Sequence, residues 1–527
     1  MNRLENNHKL TRGSLEYWAE KKTNEPAIID EDGSILNWGS WNEKSDKIAE
    51  ALIKAGIGAE DIVAVRTNIR PEWFIINRAL SKIGCSQLLV NNRLSGQEVR
   101  YLMENSKAKA IFYDDEDPEA LMELWDEFGL SFRVSIGSTK ELGNIKNFEE
   151  LLMGDPAPSR YSNGYNTEMI VYTSGTTGRP KGVYLEPYLR ELRKNELNEY
   201  RKDSAQYTTS SPGGKSLLSL PLHHSLGPIM ARDTHLVGNP VILQRRFNPE
   251  KTLELIEKYQ ITYWLCVPTM LNRIANLPEN VLDNYDVSSI KQLRCSAAPI
   301  KTGLKEWVID YFGDHCLYEG YGVTETGTLT IMTPEMHTRK PGSCGRPYKN
   351  VFISIRNDNG EELPVRENGE IWIKSPQTID RYINSEPLGE DTLDKAGYFK
   401  VGDVGYLDED GYLYITGRKK DMIISGGVNI YPREIEDALQ KHPHVSIAAV
   451  IGIPNEDFGE EVKAFCEVKE NQTITENELM EFCKNELASY KCPRTIEFVN
   501  ALPRNAMGKI MKHKLRENYW KEAGRNI

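Results

Sequence analysis

The sequence predicts an α/β protein with at least two folding units, and three observations support this fold class. The 527 residues exceed what a single hydrophobic core usually organises. Residues 1–150 alternate strand-like apolar runs with amphipathic helical stretches, which predicts a mostly parallel sheet covered by helices. Residues 351–414 change to short strands split by Gly-containing turns, which is typical of an antiparallel β region, and a separate α+β pattern begins after Arg418.

The individual elements follow from the spacing of apolar residues. Ser95 and Glu98 form a capping box at the start of one helix. The alternating pattern of the first region places strands at 62–67, 87–90 and 110–113 and helices at 41–55 and 71–83, and it recurs around 216–222, 252–259, 262–267 and 305–311. Beyond Arg418 we expect a helix at 431–441, strands at 445–453 and 464–467, and a helix at 476–487.

Composition excludes several classes of function. No run of about 18 apolar residues is present, so no membrane span is expected, and the polar residues 1–12 argue against a secretory signal. A formal net charge of −12 disfavours bulk nucleic-acid binding. The eight cysteines are scattered without a CxxC pair, which indicates reduced thiols and a cytoplasmic protein.

The strongest local signal is a ten-residue run directly after the apolar residues 169–172. Its glycines allow tight turns that present backbone N–H groups, its hydroxyls can donate to phosphate oxygens, and Lys181 adds a positive charge. The run reads Thr173, Ser174, Gly175, Thr176, Thr177, Gly178, Arg179, Pro180, Lys181 and Gly182. It lacks the Gly-Lys-Ser/Thr spacing of P-loop nucleotidases, so we interpret it as a phosphate loop of another kind.

This run resembles the phosphate loop of the acyl-adenylate-forming superfamily, which includes acyl- and aryl-CoA synthetases, free-standing adenylation domains and firefly-type luciferases. The other motifs of that family follow in order over residues 15–515. They are Tyr321-Gly322-Val323-Thr324-Glu325, the segment 398–403 ending in Asp403, Arg418 in 416–421, the segment 425–436, and 503–510 with Lys509. The resemblance implies a large N-terminal domain of sheets and helices with a β subdomain (1–419) and a small mobile α+β C-terminal domain (420–527).

The resemblance also implies roles for these residues in binding ATP. Tyr321 would stack near the adenine, Thr324 would contact the α-phosphate, and Glu325 would bind Mg²⁺. Asp403 and Arg418 would bind the ribose hydroxyls. The implied catalytic set is Thr173, Lys181, Glu325 and Lys509, and the implied nucleotide contacts are Thr173, Ser174, Gly175, Thr176, Thr177, Gly178, Lys181, Ala297, Ala298, Pro299, Gly320, Tyr321, Gly322, Thr324, Asp403, Arg418 and Lys509.

The remaining implied positions concern the acid, the hinge and coenzyme A. His224, with His223 as its neighbour, Gly320 and Gly322 would line the acyl pocket, although Ser296 and Ala297 stand where relatives have glycines. Lys420 would be the hinge about which the C-terminal domain turns between two half-reactions. For coenzyme A the resemblance implies contacts with Gly426, Gly427, Phe458 and Tyr490, and it leaves the 3′-phosphate contact unassigned.

The predicted activity is therefore ATP-dependent formation of an acyl-adenylate, with pyrophosphate release and transfer of the acyl group to coenzyme A. The cofactors are ATP, Mg²⁺ and coenzyme A, and the partners are small molecules rather than nucleic acids. A carrier-protein pantetheine is an alternative acceptor. Amino-acid activation, for which Asp233 would pair with the ammonium, and a non-catalytic ligand sensor are weaker alternatives. The sequence leaves open a fatty, aryl or steroid-like acid and a homodimer.

Overall fold

The computed structural model describes residues 13–114, 127–137, 145–156, 168–173, 180–185, 193–208, 210–298, 300, 302–426, 428–505 and 508–522. Within these ranges the chain forms two seven-stranded sheets, a four-stranded antiparallel sheet and a five-stranded sheet near the C-terminus. The predicted α/β class is confirmed.

The N-terminal sheet is parallel except at one edge. Its strands in spatial order are Lys146–Asn147, Phe132–Ser135, Ala110–Tyr113, Ile62–Arg66, Ser86–Leu89, Met169–Thr173 and Lys181–Tyr184. The last two strands pair antiparallel, with Thr173 opposite Lys181. The two ends of the predicted phosphate loop are therefore held side by side at the edge of this sheet.

The central sheet follows the same plan and carries most of the acyl-side segments. Its order is Leu317–Glu319, Gln292–Cys295, Tyr263–Cys266, Ser216–Leu218, Val241–Leu243, Pro26–Ile29 and Ile35–Asn37, and only the last pair is antiparallel. Parallel strands buried on both faces need continuous apolar sequence, and residues 263–266 and 241–243 are fully buried.

Helices cover the two seven-stranded sheets, and local sequence explains their ends. Ser95 and Glu98 make both hydrogen bonds of the predicted capping box, and Gly84 adopts the left-handed conformation that ends the preceding helix. The helices before the β subdomain are Leu15–Lys21, Trp38–Lys54, Pro71–Ile83, Gly96–Ser106, Phe148–Leu151, Lys194–Thr208, Leu226–Leu236, Pro249–Tyr259, Pro268–Ala275, Glu279–Leu282, Thr302–Phe312 and Pro334–Arg339.

Short antiparallel elements follow the central sheet, as the turn-rich sequence predicts. Two hairpins pair Gly322–Val323 with Gly327–Thr328 and Thr330–Ile331 with Arg346–Pro347. The four strands of the β subdomain are Phe352–Arg356, Gly369–Lys374, Phe399–Leu407 and Leu413–Arg418.

The C-terminal residues form a smaller α+β unit with its own core. Its sheet contains Val428–Ile430, Ile423–Ser425, Gly459–Val468, Val445–Asn455 and Thr495–Phe498, and its helices are Pro432–Leu439, Glu476–Glu486 and Lys512–Glu522. A 3-10 turn at Lys419–Asp421 joins this unit to the β subdomain. The predicted domain boundary falls in this turn and remains a prediction.

Across the described ranges, no helix is long and apolar enough to cross a bilayer. All eight cysteines lie in those ranges and are free thiols.

Candidate active site

The two described ends of the phosphate loop meet the Tyr321–Glu325 motif. The Thr173 hydroxyl donates to Oε1 of Glu325 over 3.4 Å, and the Tyr382 hydroxyl donates to the same oxygen over 3.3 Å. Nζ of Lys181 lies 4.8 Å from the centre of the Tyr382 ring. The structure thus brings together Thr173, Lys181 and Glu325, whereas Ser174, Gly175, Thr176, Thr177 and Gly178 lie outside the described residues.

Glu325 has the environment that a Mg²⁺ ligand needs. No cation among the described side chains lies within 4.0 Å of its carboxylate, which accepts only the two long hydrogen bonds from hydroxyls. The described residues contain no group of three or more His, Cys, Asp or Glu able to hold a metal by themselves. One carboxylate suits Mg²⁺ that takes its other ligands from phosphate oxygens and water, so the residues fit the predicted metal.

Asp403 and Arg418 face each other on neighbouring strands of the β subdomain. Oδ1 of Asp403 lies 3.1 Å from Nε of Arg418, and Oδ2 accepts a 2.6 Å hydrogen bond from the hydroxyl of Tyr321. Asp403 is 4% exposed, and burial together with this carboxylate raises the pKa of Tyr321. A fixed carboxylate with two oxygens can accept from both hydroxyls of a ribose, so this arrangement is suited to the predicted role.

Lys509 reaches this cleft from the C-terminal unit. Gly508 has a φ of +73°, and a Cβ atom built on it would lie 2.5 Å from Oγ1 of Thr269, so the turn packs closely on helix Pro268–Ala275. Desolvation in the cleft is the largest cause that lowers the pKa of Lys509 to about 8, and the positive charge of Arg418 lowers it further. Asp403 acts in the opposite direction. In this pose the lysine therefore shares a cleft with the ribose-binding candidates.

The predicted hinge is held from both sides. Nζ of Lys419 lies 2.9 Å from both Asp358 and Glu370 of the β subdomain. From helix Lys512–Glu522, Arg516 donates to the carbonyl oxygens of Lys420 (3.0 Å) and Asp421 (3.3 Å). The helix that follows Lys509 thus holds the backbone of Lys420, the predicted hinge residue, in place through hydrogen bonds.

The predicted acyl wall contains one unusual backbone conformation. Ala297 has a φ of 72°, which lies in the left-handed region that favours glycine. This conformation accounts for the glycine that the resemblance implies at this position in relatives. The Ser296 hydroxyl donates to the carbonyl of Gly320 over 2.9 Å and joins this segment to the Tyr321 motif. Ala298 is exposed, and Pro299 lies outside the described residues.

The other residues predicted on the acyl side, His224, Gly322 and Asp233, lie in different environments. Burial lowers the pKa of His224 to about 4, so it is a neutral group near pH 7. A Cβ atom on Gly322 would lie 2.3 Å from the carbonyl oxygen of Gly327, so this glycine is needed by the hairpin itself. Asp233 forms a 2.9 Å ion pair with Arg232, and its carboxylate is already engaged, which weakens the amino-acid alternative.

The predicted coenzyme A residues lie on the exposed side of the C-terminal unit. Gly426 has a φ of +57° and donates its N–H to the carbonyl of Phe458 over 2.8 Å. The rings of Phe458 and Tyr490 are 42% and 53% exposed, which leaves them accessible to a base. Gly427 lies outside the described residues.

Two side chains that contact predicted site residues were not predicted from sequence. The guanidinium of Arg494 lies 4.8 Å from the centre of the Phe458 ring, whereas Lys491, the residue next to Tyr490, is paired with Glu434 at 2.6 Å. Tyr382 beside Glu325 was also missed. Arg494 could have been considered from sequence, because it is a basic residue close after Tyr490. Nothing in the sequence around Tyr382 indicates a role, because only folding brings this residue to the phosphate loop.

The comparisons with known proteins agree with this geometry. A family model described as AMP-binding enzyme matches residues 15–383, and the AMP-binding enzyme C-terminal domain matches residues 434–509. A 2-succinylbenzoate–CoA ligase of Bacillus licheniformis is 32% identical over 95% of this chain and 98% of its own. A feruloyl-CoA synthase of Amycolatopsis is 31% identical over 92% and 94%. A fatty acid–[acyl-carrier-protein] ligase, ScoC of Streptomyces coeruleorubidus, is 30% identical over 97% and 96%.

A solved relative has been determined with an acyl-adenylate and with ATP and magnesium. The o-succinylbenzoate CoA synthetase MenE of Bacillus subtilis, solved with its acyl-adenylate intermediate, superposes with a TM-score of 0.80 at 27% identity over 96% of this chain and 98% of its own. The same enzyme has been solved with ATP and magnesium, with a TM-score of 0.79 at 27% identity and the same coverage. This chain therefore belongs to the AMP-binding enzyme family and is an AMP-forming acid–CoA ligase that works through an acyl-adenylate.

Proposed function

We propose that this enzyme activates a ring-bearing carboxylic acid and that its two half-reactions use the residues of the cleft described above. The observation that carries this proposal is the presence of Lys509 in the same cleft as Asp403 and Arg418, although it comes from a different structural unit. A charge brought in by a separate unit can act in one step and be withdrawn for the next.

In the first half-reaction the carboxylate oxygen of the acid attacks the α-phosphorus of ATP, and the bond to the bridging oxygen breaks to release pyrophosphate. Asp403 and Arg418 hold the ribose, while Thr173 and Lys181 hold the phosphates. Lys509 donates to the oxygens on which negative charge develops. Mg²⁺ on Glu325 supplies further charge neutralisation when it is bound.

In the second half-reaction the thiolate of coenzyme A attacks the acyl carbon, and AMP leaves with the electrons of the broken C–O bond. The C-terminal unit turns about Lys420, removes Lys509 and brings Gly426 and Gly427 to the thiol path. Phe458 and Tyr490 hold the nucleotide end of coenzyme A. No protein nucleophile is required, because the mixed anhydride is itself reactive.

The ring-bearing acid is favoured over a simple fatty acid by the names of two relatives. The relatives from B. licheniformis and Amycolatopsis are named for 2-succinylbenzoate and feruloyl substrates.

A panel assay tests this proposal. Aryl, fatty and steroid-like acids are offered with ATP, Mg²⁺ and coenzyme A, and pyrophosphate, AMP and thioester are measured together. We expect all three products in equal amounts with aryl acids. A carrier protein bearing pantetheine serves as the competing acceptor, and faster loading of that protein would overturn coenzyme A as the acceptor. A preference for long-chain fatty acids would overturn the substrate class.

We further propose a cytoplasmic location, which is consistent with eight free thiols.

A further inference from the structure

A buried arginine lies behind the acyl side of the cleft without an acidic partner. Arg294 is 6% exposed and lies on strand Gln292–Cys295 of the central sheet. This strand ends directly before Ser296 and Ala297. Its Nε has no hydrogen-bond partner, and among the described residues no carboxylate lies within 4.0 Å of its guanidinium. Burying a cation without such a partner is costly, so its presence requires an explanation.

The groups around Arg294 solvate it only in part. Tyr263 and Tyr348 lie close enough that Arg294 partly offsets the rise that burial causes in their pKa values. Both tyrosine side chains also interact with Arg294 through side-chain hydrogen bonds. Nε of Arg294 still has no hydrogen-bond partner, so one donor of the guanidinium is left for an oxygen acceptor.

The guanidinium stays charged in this environment. Burial by itself lowers the pKa of Arg294. The net pKa is nevertheless above its ordinary value, because it is raised by electrostatic interactions with Tyr348, Tyr263, Tyr200 and the more remote Asp233. Asp233 does not neutralise it, because the Asp233 carboxylate forms its ion pair with Arg232 at 2.9 Å.

The edge of the guanidinium that binds carboxylates faces the acyl wall. A Cβ atom built on Gly320 would lie 2.9 Å from Nη2 and 3.6 Å from Nε of Arg294. Nε and Nη2 form the pair of parallel donors that grips a carboxylate in a bidentate manner. Only the absence of a side chain at residue 320 leaves room for this edge beside the Tyr321 motif.

We infer that Arg294 is a specificity-determining residue that selects acids bearing a second carboxylate at the end opposite the carboxyl that is activated. This inference rests on the proposed function, because it assumes that the acid extends from the α-phosphate toward Gly320. The distal carboxylate accepts from Nε and Nη2 of Arg294. An acid without it leaves these donors unpaired, and selectivity follows from that difference.

Matched pairs of acids test the inference. The members of each pair have the same number of carbons, and a distal methyl group in one is a carboxylate in the other, as in hexanoate with adipate or 3-(4-methylphenyl)propanoate with 3-(4-carboxyphenyl)propanoate. Acid-dependent pyrophosphate release gives kcat/KM for each member. For the wild-type enzyme we expect the distal carboxylate to raise kcat/KM by about 10- to 100-fold, the range for a hydrogen-bonded charged group. A preference for the uncharged or a hydroxylated partner would overturn the inference.

Two substitutions separate charge from structure. In Arg294→Met the preference is expected to fall to about twofold or less, because no donor remains, and in Arg294→Lys an intermediate preference is expected because one charge remains without the bidentate edge. Arg366→Met, which removes an exposed arginine paired with Glu409, serves as the control and keeps the wild-type ratio. An unchanged ratio in Arg294→Met would overturn the inference.

The outcomes distinguish this inference from the proposed function. If no acid of either kind supports pyrophosphate release, the proposed function fails. If uncharged acids react and the ratios contradict Arg294, only the inference fails. Should the Arg294 variants not fold, as judged by thermal unfolding, the wild-type ratios over three or more matched pairs decide the question alone.

Discussion

The pH dependence of the first half-reaction should report the protonation of Lys509. Desolvation in the cleft and the positive charge of Arg418 lower the pKa of this lysine to about 8. A lysine carries its charge below its pKa, so the charge that assists adenylate formation is present at neutral pH and lost as the pH rises through about 8. The charged fraction falls from about 0.9 at pH 7 to about 0.1 at pH 9, which predicts an approximately tenfold loss of rate.

The assay is acid-dependent pyrophosphate release measured as kcat/KM for ATP between pH 6.5 and 9.5, because this parameter reports the free enzyme. Lys509→Arg should flatten the profile over this range, since arginine remains charged. Lys509→Ala should lower the rate by about 10²- to 10³-fold, the usual effect of losing one donor to a developing charge. Lys521→Ala, which removes an exposed lysine that pairs with Glu517 in the helix following Lys509, is the matched control.

The second half-reaction provides an internal comparison. With a supplied acyl-adenylate, thioester formation should survive in Lys509→Ala, and its rate should rise with pH as the thiol of coenzyme A ionises. A wild-type adenylation profile that stays flat from pH 7 to 9 would refute the assignment. Equal loss of both half-reactions in Lys509→Ala would refute the movement of the C-terminal unit.

Four further predictions follow from the contacts of the cleft. Asp403→Asn should raise KM for ATP by about tenfold and abolish discrimination against 2′-deoxy-ATP, since it removes the charge that pairs with Arg418 at 3.1 Å; a retained preference for ATP would contradict the ribose role. Glu325→Gln should raise the Mg²⁺ concentration needed for half-maximal rate, and an unchanged Mg²⁺ titration would remove this residue from the metal site. Arg494→Ala should raise KM for coenzyme A several-fold but leave KM for 3′-dephospho-coenzyme A unchanged; equal effects on both would exclude a contact with the 3′-phosphate. Arg516→Ala, which frees the carbonyls of the hinge turn, should slow adenylation more than thioester formation, and the reverse order would mean that the clamp favours the other pose.

The fold was largely accessible from sequence because its elements are strongly patterned. The predicted helix at 71–83 and strand at 110–113 agree with the structure, and the antiparallel region after residue 351 is the four-stranded β subdomain. The division of the parallel strands into two separate sheets was not predicted. Periodicity states which residues are buried but not which strands are neighbours, and strand Pro26–Ile29 joins a sheet whose other parallel members begin about 190 residues later.

The site was accessible only where its residues belong to contiguous motifs. The motif positions Thr173, Lys181, Glu325, Asp403 and Arg418 were all named from sequence, and their mutual contacts are seen in the structure. Their chemical roles remain proposals.

Tyr382, Arg294 and Arg516 could not have been found in this way. Each acts through a contact between segments far apart in the chain, and a tyrosine or arginine with no neighbouring motif is ordinary in sequence. Burial without an acidic partner among the described residues, which distinguishes Arg294, is visible only after folding.

Exchange of labelled pyrophosphate into ATP tests the central claim most directly. The enzyme is incubated with ATP, Mg²⁺, labelled pyrophosphate and each acid of the panel, without coenzyme A. We predict label in ATP only when an acid is present, and loss of that label in Lys509→Ala. Failure of every acid to promote exchange in the wild-type enzyme, or exchange that persists without Lys509, would contradict the account.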